Sequence, residues 1–277
     1  RIIGYVKNDL DTASSKVVTI GGSYPGNLAA WFRLKYPSVT DGSIASSAPV
    51  TAQTNFAEYM DVVGQALIHF SGQACFDAFE NAAGAVMALA AQGVGSQGMK
   101  QIETDFKTCA PITSDLDLAV LMSDLMGNVQ GTVQYNNEHD GTLNVTDICA
   151  VMTSSNTAAS TSDYDRFVAL SAEFRTASGM ECEDASWEDT ASYLANPTKD
   201  SANNGRPWTY QTCNEFGYYQ TTDSSNQPFH SWKPLAGLDF SHAICKAAFS
   251  GWTADPQVAW INQQYGSNKI AGTNIAL

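Results

Sequence analysis

Positive charge is scarce in this sequence. Its 277 residues hold 14 Lys and Arg against 28 Asp and Glu, a net charge of −14 at neutral pH. A surface of that sign repels phosphate backbones, so no nucleic acid is expected as a partner. Charged residues of either sign make up only 15% of the chain. Ser, Thr, Asn and Gln are abundant instead, a profile of secreted or lysosomal proteins more than of cytosolic ones. No apolar run is long enough to span a membrane. No Cys-x-x-Cys pair is present, which removes the common zinc and dithiol motifs, and neither a metal nor another cofactor is expected. Gly-x-Gly-x-x-Gly and a phosphate-cradling Gly-Lys-Ser/Thr ending are also missing. Arg1-Ile2-Ile3-Gly4 opens on amphipathic sequence with neither initiator methionine nor signal peptide, so the chain reads as starting inside a domain.

Six cysteines are present: Cys75, Cys109, Cys149, Cys182, Cys213 and Cys245. An even number so dispersed fits disulfides made in an oxidising compartment, with six buried thiols as the alternative. Spacing alone leaves fifteen pairings. Asn144-Val145-Thr146 is the one glycosylation sequon.

The most informative stretch is Val17 to Ala30. Val17, Val18, Thr19 and Ile20 suit a short buried strand. Gly21 and Gly22 then allow a tight turn, and Ser23, Tyr24 and Pro25 lead into Asn27 to Trp31, which read as helix. Strand, sharp turn, serine and helix together are what a nucleophile elbow requires. The turn lifts the serine Oγ above the sheet edge, and the helix N-terminus offers N–H groups to a developing oxyanion. Gly-x-Ser-x-Gly is the usual spacing; here Pro25 takes the second glycine position and Gly26 follows. Proline is tolerated in a first helical turn, where its missing N–H loses no helical bond. The alternative reading is an ordinary strand-to-helix connection.

Before the elbow, Ile2, Ile3, Val6 and Leu10 predict a helix over 1–11. After it, Gly42 to Val50 predicts a second short strand ending at Pro49. Such alternation implies a parallel sheet covered on both faces. From Asn55 strand-like runs largely vanish. Apolar stripes at Phe56, Met60, Val63, Leu67 and Phe70, and at Phe76, Phe79, Ala83, Val86 and Ala90, predict helices. So do Met99, Ile102 and Phe106; Leu116, Val120, Leu125 and Val129; and Tyr164, Phe167, Leu170 and Phe174. Asn196 to Gly205 reads as a loop. Asp255-Pro256 is expected to cap a helix that stops at Gly266, and Thr273 to Leu277 resembles a strand. The expected fold is therefore α/β: a partial α/β-hydrolase core with a long, mostly helical cap insertion. Its parts are residues 1–54 (core with elbow), 55–266 (helical cap with disulfides) and 267–277 (return strand).

A serine hydroxyl needs a base and normally an acid behind it. His69, His139, His230 and His242 all lie in the helical or polar stretches, and none follows a return to the sheet. In α/β hydrolases the order is Ser, then Asp or Glu, then His. Both partners of Ser23 are therefore expected beyond Leu277, and the chain is expected to be a fragment or an incompletely traced protein.

Three segments carry a resemblance. The run Gly21-Gly22-Ser23-Tyr24-Pro25-Gly26-Asn27-Leu28-Ala29-Ala30-Trp31-Phe32-Arg33-Leu34-Lys35-Tyr36-Pro37, with Ala45-Ser46-Ser47-Ala48-Pro49-Val50, resembles the family of lysosomal Pro-X carboxypeptidase, dipeptidyl peptidase II and thymus-specific serine peptidase. So does Trp208-Thr209-Tyr210-Gln211-Thr212-Cys213-Asn214-Glu215-Phe216. Thr273-Asn274-Ile275 is similar to the strand before that family's Asn-Gly-x-x-Asp-Pro-Trp loop. The similarity is weakest from 92 to 204.

The resemblance implies Ser23 as nucleophile and the Tyr24 N–H as an oxyanion donor. It also implies Asn27, Glu215 and Tyr218 as substrate-binding residues, although relatives often carry methionine at the positions of Asn27 and Tyr218. Glu215 with Tyr218 one turn on could equally be a plain helix face. The implied disulfides are Cys75–Cys149, Cys109–Cys182 and Cys213–Cys245. The implied activity is that of a serine exopeptidase cleaving peptides after proline-like residues. Glu215 could receive a free amine, which favours a dipeptidyl peptidase over a carboxypeptidase. An esterase or lipase and a non-catalytic hydrolase-like binding protein are the alternatives. Peptide substrates are the expected partners, a homodimer is left open, and the expected location is lysosomal, vacuolar or extracellular.

Overall fold

The computed structural model describes residues 1–10, 12–138, 141–154, 162–198 and 205–277. In chain order its elements are α1 (Ile2–Asp9), β1 (Val18–Gly22), α2 (Tyr24–Lys35), β2 (Gly42–Ser46), β3 (Gln53–Asn55), α3 (Glu58–Ser71), α4 (Gln73–Ala90) and α5 (Gln97–Asp105). There follow α6 (Asp115–Gln134), α7 (Val145–Thr153), α8 (Asp163–Ser178), α9 (Trp187–Ala195), α10 (Gly205–Gln211), a π-helical turn Thr212–Phe216 and β4 (Gly217–Tyr219). A 3-10 turn His230–Trp232, α11 (Lys233–Ala236), α12 (Leu238–Ala248), α13 (Val258–Tyr265) and β5 (Ile275–Ala276) complete the order. The chain divides into two units. One is Arg1–Thr54 with Asn214–Gly217 and Asp255–Leu277, and the other is Asn55–Cys213 with Tyr218–Ala254.

The first unit holds a parallel sheet in the order β1-β2-β5. Val18 lies opposite Gly42 and Gly22 opposite Ser46, while Ser43 lies opposite Ile275. Parallel strands need a crossover, and α2 supplies it between β1 and β2. Successive strand residues point to opposite faces. Thr19 points toward α2, its Oγ1 donating to the Ala29 carbonyl at 3.2 Å. Val18 and Ile20 point the other way and are 50% and 73% exposed, so the expectation of a buried strand in a sheet covered on both faces is corrected here. The sheet is parallel, but α2 covers one face only. The stripe of α1 is likewise unburied.

Arg33, buried on α2, fastens that helix to the sheet. Its Nε donates to the Thr273 carbonyl at 2.9 Å, and its Nη1 donates to the Pro37 carbonyl at 2.9 Å and to the Thr40 carbonyl. Trp31 stacks on Tyr265 of α13 with ring centroids 4.2 Å apart. Asn262 of α13 bonds both the N–H and the C=O of Ala52 at 2.8 Å. Asp255-Pro256 does not cap α13. The cap residue is Gln257, because the chain reaches helical geometry only after Pro256, and Gly266 ends the helix in a left-handed conformation as expected.

The second unit is built on the predicted stripes. Met60, Val63 and Leu67 of α3, Phe79, Ala83 and Val86 of α4, Leu121, Leu125 and Val129 of α6, and Phe167 and Leu170 of α8 share one core. Phe70 departs from its stripe: it sits in the last turn of α3 and is 51% exposed. Phe167 packs against Phe106, Phe229 and Trp232, and the Trp232 Nε1–H donates to the Ala83 carbonyl at 2.9 Å. Strands β3 and β4 form a two-stranded sheet, and β4 lies in the stretch where strand-like runs were expected largely to vanish. At three residues each, they are too short for a period-2 pattern to register. The expected loop 196–205 lies partly outside the described residues, and Gly205 itself opens α10. The disulfides are Cys75–Cys149, Cys109–Cys182 and Cys213–Cys245, the pairing that the resemblance implied.

Next to Cys182, a buried ion pair joins two elements. Arg175 of α8 and Glu183 are 8% and 1% exposed. Arg175 Nη1 lies 3.0 Å from Glu183 Oε1 and also donates to Ser171 Oγ and the Phe106 carbonyl. Ser171 in turn donates to Glu183 Oε1 at 2.6 Å. Removing one member leaves the other charge buried without compensation. Glu183→Ala is expected to lower unfolding free energy by about 3–5 kcal/mol in a chemical denaturation series.

Asp124 on α6 is solvent-exposed. Its carboxyl is nevertheless pushed up to about 7, by desolvation first and then by the charges of Asp184 and Glu183. A carboxyl whose folded pKa exceeds its unfolded one adds stability below the unfolded value and loses it as pH rises through the folded value. Asp124→Asn should therefore be more stable than the wild type at pH 8. The gap should close as the pH is lowered to the ordinary aspartate range, in denaturation curves recorded at both pH values.

Candidate active site

The elbow occupies the C-terminal edge of β1 and β2. Ser23 is the residue that caps α2, and its backbone sits at φ 56 and ψ −135. A non-glycine residue there is sterically opposed, at a cost of about 1–3 kcal/mol, and it persists only where the surroundings enforce it. Here the Ser23 N–H donates to the Ser46 carbonyl of the neighbouring strand at 3.0 Å. The Ser23 carbonyl accepts from Gly26 at 2.9 Å and Asn27 at 3.3 Å. The backbone is thereby fixed on both sides while the serine itself is exposed. Ser47, after the partner strand, also has a positive φ of 49.

The altered glycine spacing has a steric cause. A Cβ on Gly21 would come within 2.2 Å of the Pro25 carbonyl oxygen, and one on Gly26 within 2.9 Å of Ala48 Cβ. The close approaches are therefore at Gly21 and Gly26, and Pro25 fits between them in the first turn of α2. Gly22 has open space where its Cβ would be, so the turn does not need both glycines of the pair.

Tyr24 is the first residue of α2, which puts its N–H at the helix N-terminus, where N–H groups have no intrahelical acceptor. Its ring meets Phe216, with centroids 5.4 Å apart, and Phe216 also packs on Trp31 at 5.7 Å. Phe216 thus brings its sequence neighbour, the half-buried Glu215, to the elbow helix. Glu215 lies in the π-helical turn, a distortion often found at functional sites. Among the described residues no hydrogen bond or ion pair engages its carboxylate. Asn27 is fully buried, and its Nδ2 donates to the Pro49 carbonyl at 3.0 Å. It braces α2 against the segment after β2 and offers no open surface.

Tyr218 is not one helical turn beyond Glu215, as the sequence reading had it. The helix ends at Phe216, Gly217 and Tyr218 take φ values of 71 and 58, and Tyr218 belongs to a strand. A Cβ on Gly217 would lie 2.4 Å from the Gln53 carbonyl oxygen, which is why the chain can turn there only at glycine. Tyr218 falls in the second unit, buried beside Phe56. The described histidines also belong to that unit. His69 packs edge-on to Phe70, His230 Nδ1 is 3.4 Å from Glu80 Oε1, and His242 packs on Tyr219 and Trp252. His139 lies outside the described residues. Among the described residues no three His, Cys, Asp or Glu side chains gather as a metal would require. Sequence reasoning did not single out Ser46, whose carbonyl holds the elbow, or Phe216, although both stood inside the matched segments.

Residues 2–277 match the family model of serine carboxypeptidase S28. The chain belongs to that family. It is 30% identical over 272 residues to the thymus-specific serine protease of Mus musculus and 32% over 277 residues to that of Homo sapiens. In both cases the match covers 95% of this chain and 52% of the relative. It is 27% identical over 290 residues to the lysosomal Pro-X carboxypeptidase of Bos taurus, covering 99% of this chain and 54% of that protein. The S28 chain described here therefore spans about half the length of the curated relatives it matches.

Within this S28 elbow, the two neighbouring glycines should respond differently to substitution. Gly21→Ala is expected to cost about 1–3 kcal/mol through overpacking against Pro25. Gly22→Ala should stay within about 0.5 kcal/mol of the wild type. Thermal denaturation of the pair checks this, and equal losses would contradict the steric account.

Proposed function

We propose that this chain carries the nucleophile of a serine exopeptidase that cleaves peptides after proline-like residues near a chain end. The dipeptidyl-peptidase type is preferred over the Pro-X carboxypeptidase type. The single observation behind the nucleophile is Ser23, exposed on a backbone that only its hydrogen bonds and close-packed glycines sustain. Membership of the S28 peptidases supports the reaction class.

In this reading Ser23 Oγ attacks the carbonyl after the proline-like residue, forming the C–O bond of a tetrahedral intermediate. The Tyr24 N–H is one donor to its oxyanion. Collapse expels the amine to leave an acyl-serine, which water then hydrolyses. The base that takes the hydroxyl proton, the acid behind it and the second oxyanion donor are assigned to the half of the relatives' length that this chain does not span. The engagement of His69, His230 and His242 within the helical unit supports that assignment.

Glu215 supports the preferred type. A half-buried carboxylate that no hydrogen bond or ion pair engages among the described residues suits a substrate's α-ammonium group, whereas a carboxypeptidase needs a cation for the terminal carboxylate. Asn27 supports the elbow from behind, and Tyr218 keeps the substrate-contact role that the resemblance implies. Three disulfides and a lysosomal relative support a lysosomal, vacuolar or extracellular location. No described helix is long and apolar enough to cross a membrane.

In the full-length protein, Ser23→Ala should abolish both labelling by a fluorophosphonate and release of X-Pro dipeptides, with the melting curve retained. Glu215→Gln should raise KM for substrates with a free N-terminus by about 10–100-fold, the worth of one charge-assisted hydrogen bond, and leave kcat nearly unchanged. Retained turnover in Ser23→Ala overturns the nucleophile. Release of single C-terminal residues, unaffected by Glu215→Gln, overturns the dipeptidyl type.

A further inference from the structure

Asn144 begins α7 with one side-chain atom engaged and the other uncommitted. Its Oδ1 accepts the Asp147 N–H at 3.0 Å, and its own N–H donates to Asp147 Oδ2 at 3.0 Å, a reciprocal capping box. Nδ2 takes no part in that cap. The residue is half-buried, Val145 beside it is fully buried, and Thr146 is exposed. Directly before it, Gly141 and Leu143 line a groove of about 390 Å³ together with Ala172, Glu173, Thr176 and Ala177. The floor of this groove is apolar. Its polar groups are the Glu173 carboxylate and the Thr176 hydroxyl, which donates to the Ala172 carbonyl at 2.8 Å and keeps its oxygen free to accept.

We propose that Asn144 is N-glycosylated and that the first N-acetylglucosamine of the glycan lies in the groove formed by Leu143 and α8. Covalent adjacency selects the occupant, since the acceptor residue follows a groove-lining residue in the chain. The chemistry of the groove agrees with it. Leu143, Ala172 and Ala177 suit the acetamido methyl and the apolar face of the ring, while Glu173 and Thr176 can accept from sugar hydroxyls. Cap and glycan do not compete, because the cap uses Oδ1 and the sugar is attached at Nδ2.

In the transfer, Nδ2 gives up one proton and bonds to C1 of the reducing-end sugar of a lipid-diphosphate-linked oligosaccharide. The bond from C1 to the diphosphate breaks, the lipid diphosphate leaves with the electron pair, and the proton passes to the solvent. The three disulfides agree with passage through an oxidising secretory compartment, where such donors exist.

The test uses the full-length protein secreted from a eukaryotic host, with intact mass, peptide mapping and melting temperature read before and after peptide N-glycosidase F. The wild type should lose mass, and the peptide bearing residue 144 should carry the change. Thr146→Ala, which leaves the cap intact, should show no loss. Enzymatic deglycosylation turns Asn144 into aspartate, itself a good cap, so a fall in melting temperature of about 2–4 °C reports loss of the groove contact. Ala177→Trp, which fills the groove, should keep the glycan and abolish that fall. An unmodified Asn144 in the secreted wild type, or persistent mass loss in Thr146→Ala, overturns the site. An unchanged melting temperature in the wild type, or the same fall in Ala177→Trp, overturns the seating in the groove.

Discussion

Ser23 holds a backbone conformation that an L-residue resists, and the first unit is arranged to keep it there. The hydrogen bond from its N–H to Ser46 ties the turn to the second strand. The missing side chain at Gly21 lets the Pro25 carbonyl close over β1. Arg33 then fixes the far side of α2 to Pro37, Thr40 and Thr273, so the helix cannot rotate to relieve the turn. A local penalty of about 1–3 kcal/mol is thus carried by contacts distributed over two strands, a helix and the loops that flank them. The same geometry lifts the hydroxyl into solvent at the end of the sheet, where open α/β sheets place their ligands.

Much of this was legible in the sequence because it depends on local chemistry. The β-branched run, the glycine before the serine and the proline in a first helical turn are each read within a few residues, and they locate the elbow. Long apolar stripes were legible for the same reason: in α3, α4, α6 and α8 the spacing of Met60, Phe79, Leu125 and Phe167 is the spacing of one buried face. Other helices leave a weaker, local trace in the sequence. α7 and α9 are announced by Asn144-x-x-Asp147 and Ser186-x-x-Asp189, where the first side chain accepts from the N–H three residues on. The burial of β1 could not be read at all. Alternation tells which residues share a face, and only the packing of α2 on one side decides which face is covered.

The segment Asn214–Gly217 shows the same limit at the candidate site. It reads as a continuing helix, and up to Phe216 it is one. At Gly217 the close approach of Gln53 and Thr54 forces a left-handed turn that no propensity foretells. Glu215 and Tyr218 consequently part company, one staying with the elbow through Phe216 and the other entering the core of the helical unit. The roles inherited from the resemblance therefore rest on different kinds of contact: an open carboxylate for Glu215, a buried brace for Asn27 and a packed ring for Tyr218.

The disulfides are interlaced. Cys75 joins Cys149 and Cys109 joins Cys182, so each closed loop contains one cysteine of the other. On a ribosome the thiols emerge in sequence order, and Cys109 is the first that Cys75 can meet. Rapid oxidation would therefore trap a wrong link before either true partner has been made. Maturation of this helical unit is then governed by the rate at which bonds are reshuffled, on a scale of seconds to hours, and an exchange catalyst will matter more to its yield than the strength of the oxidant.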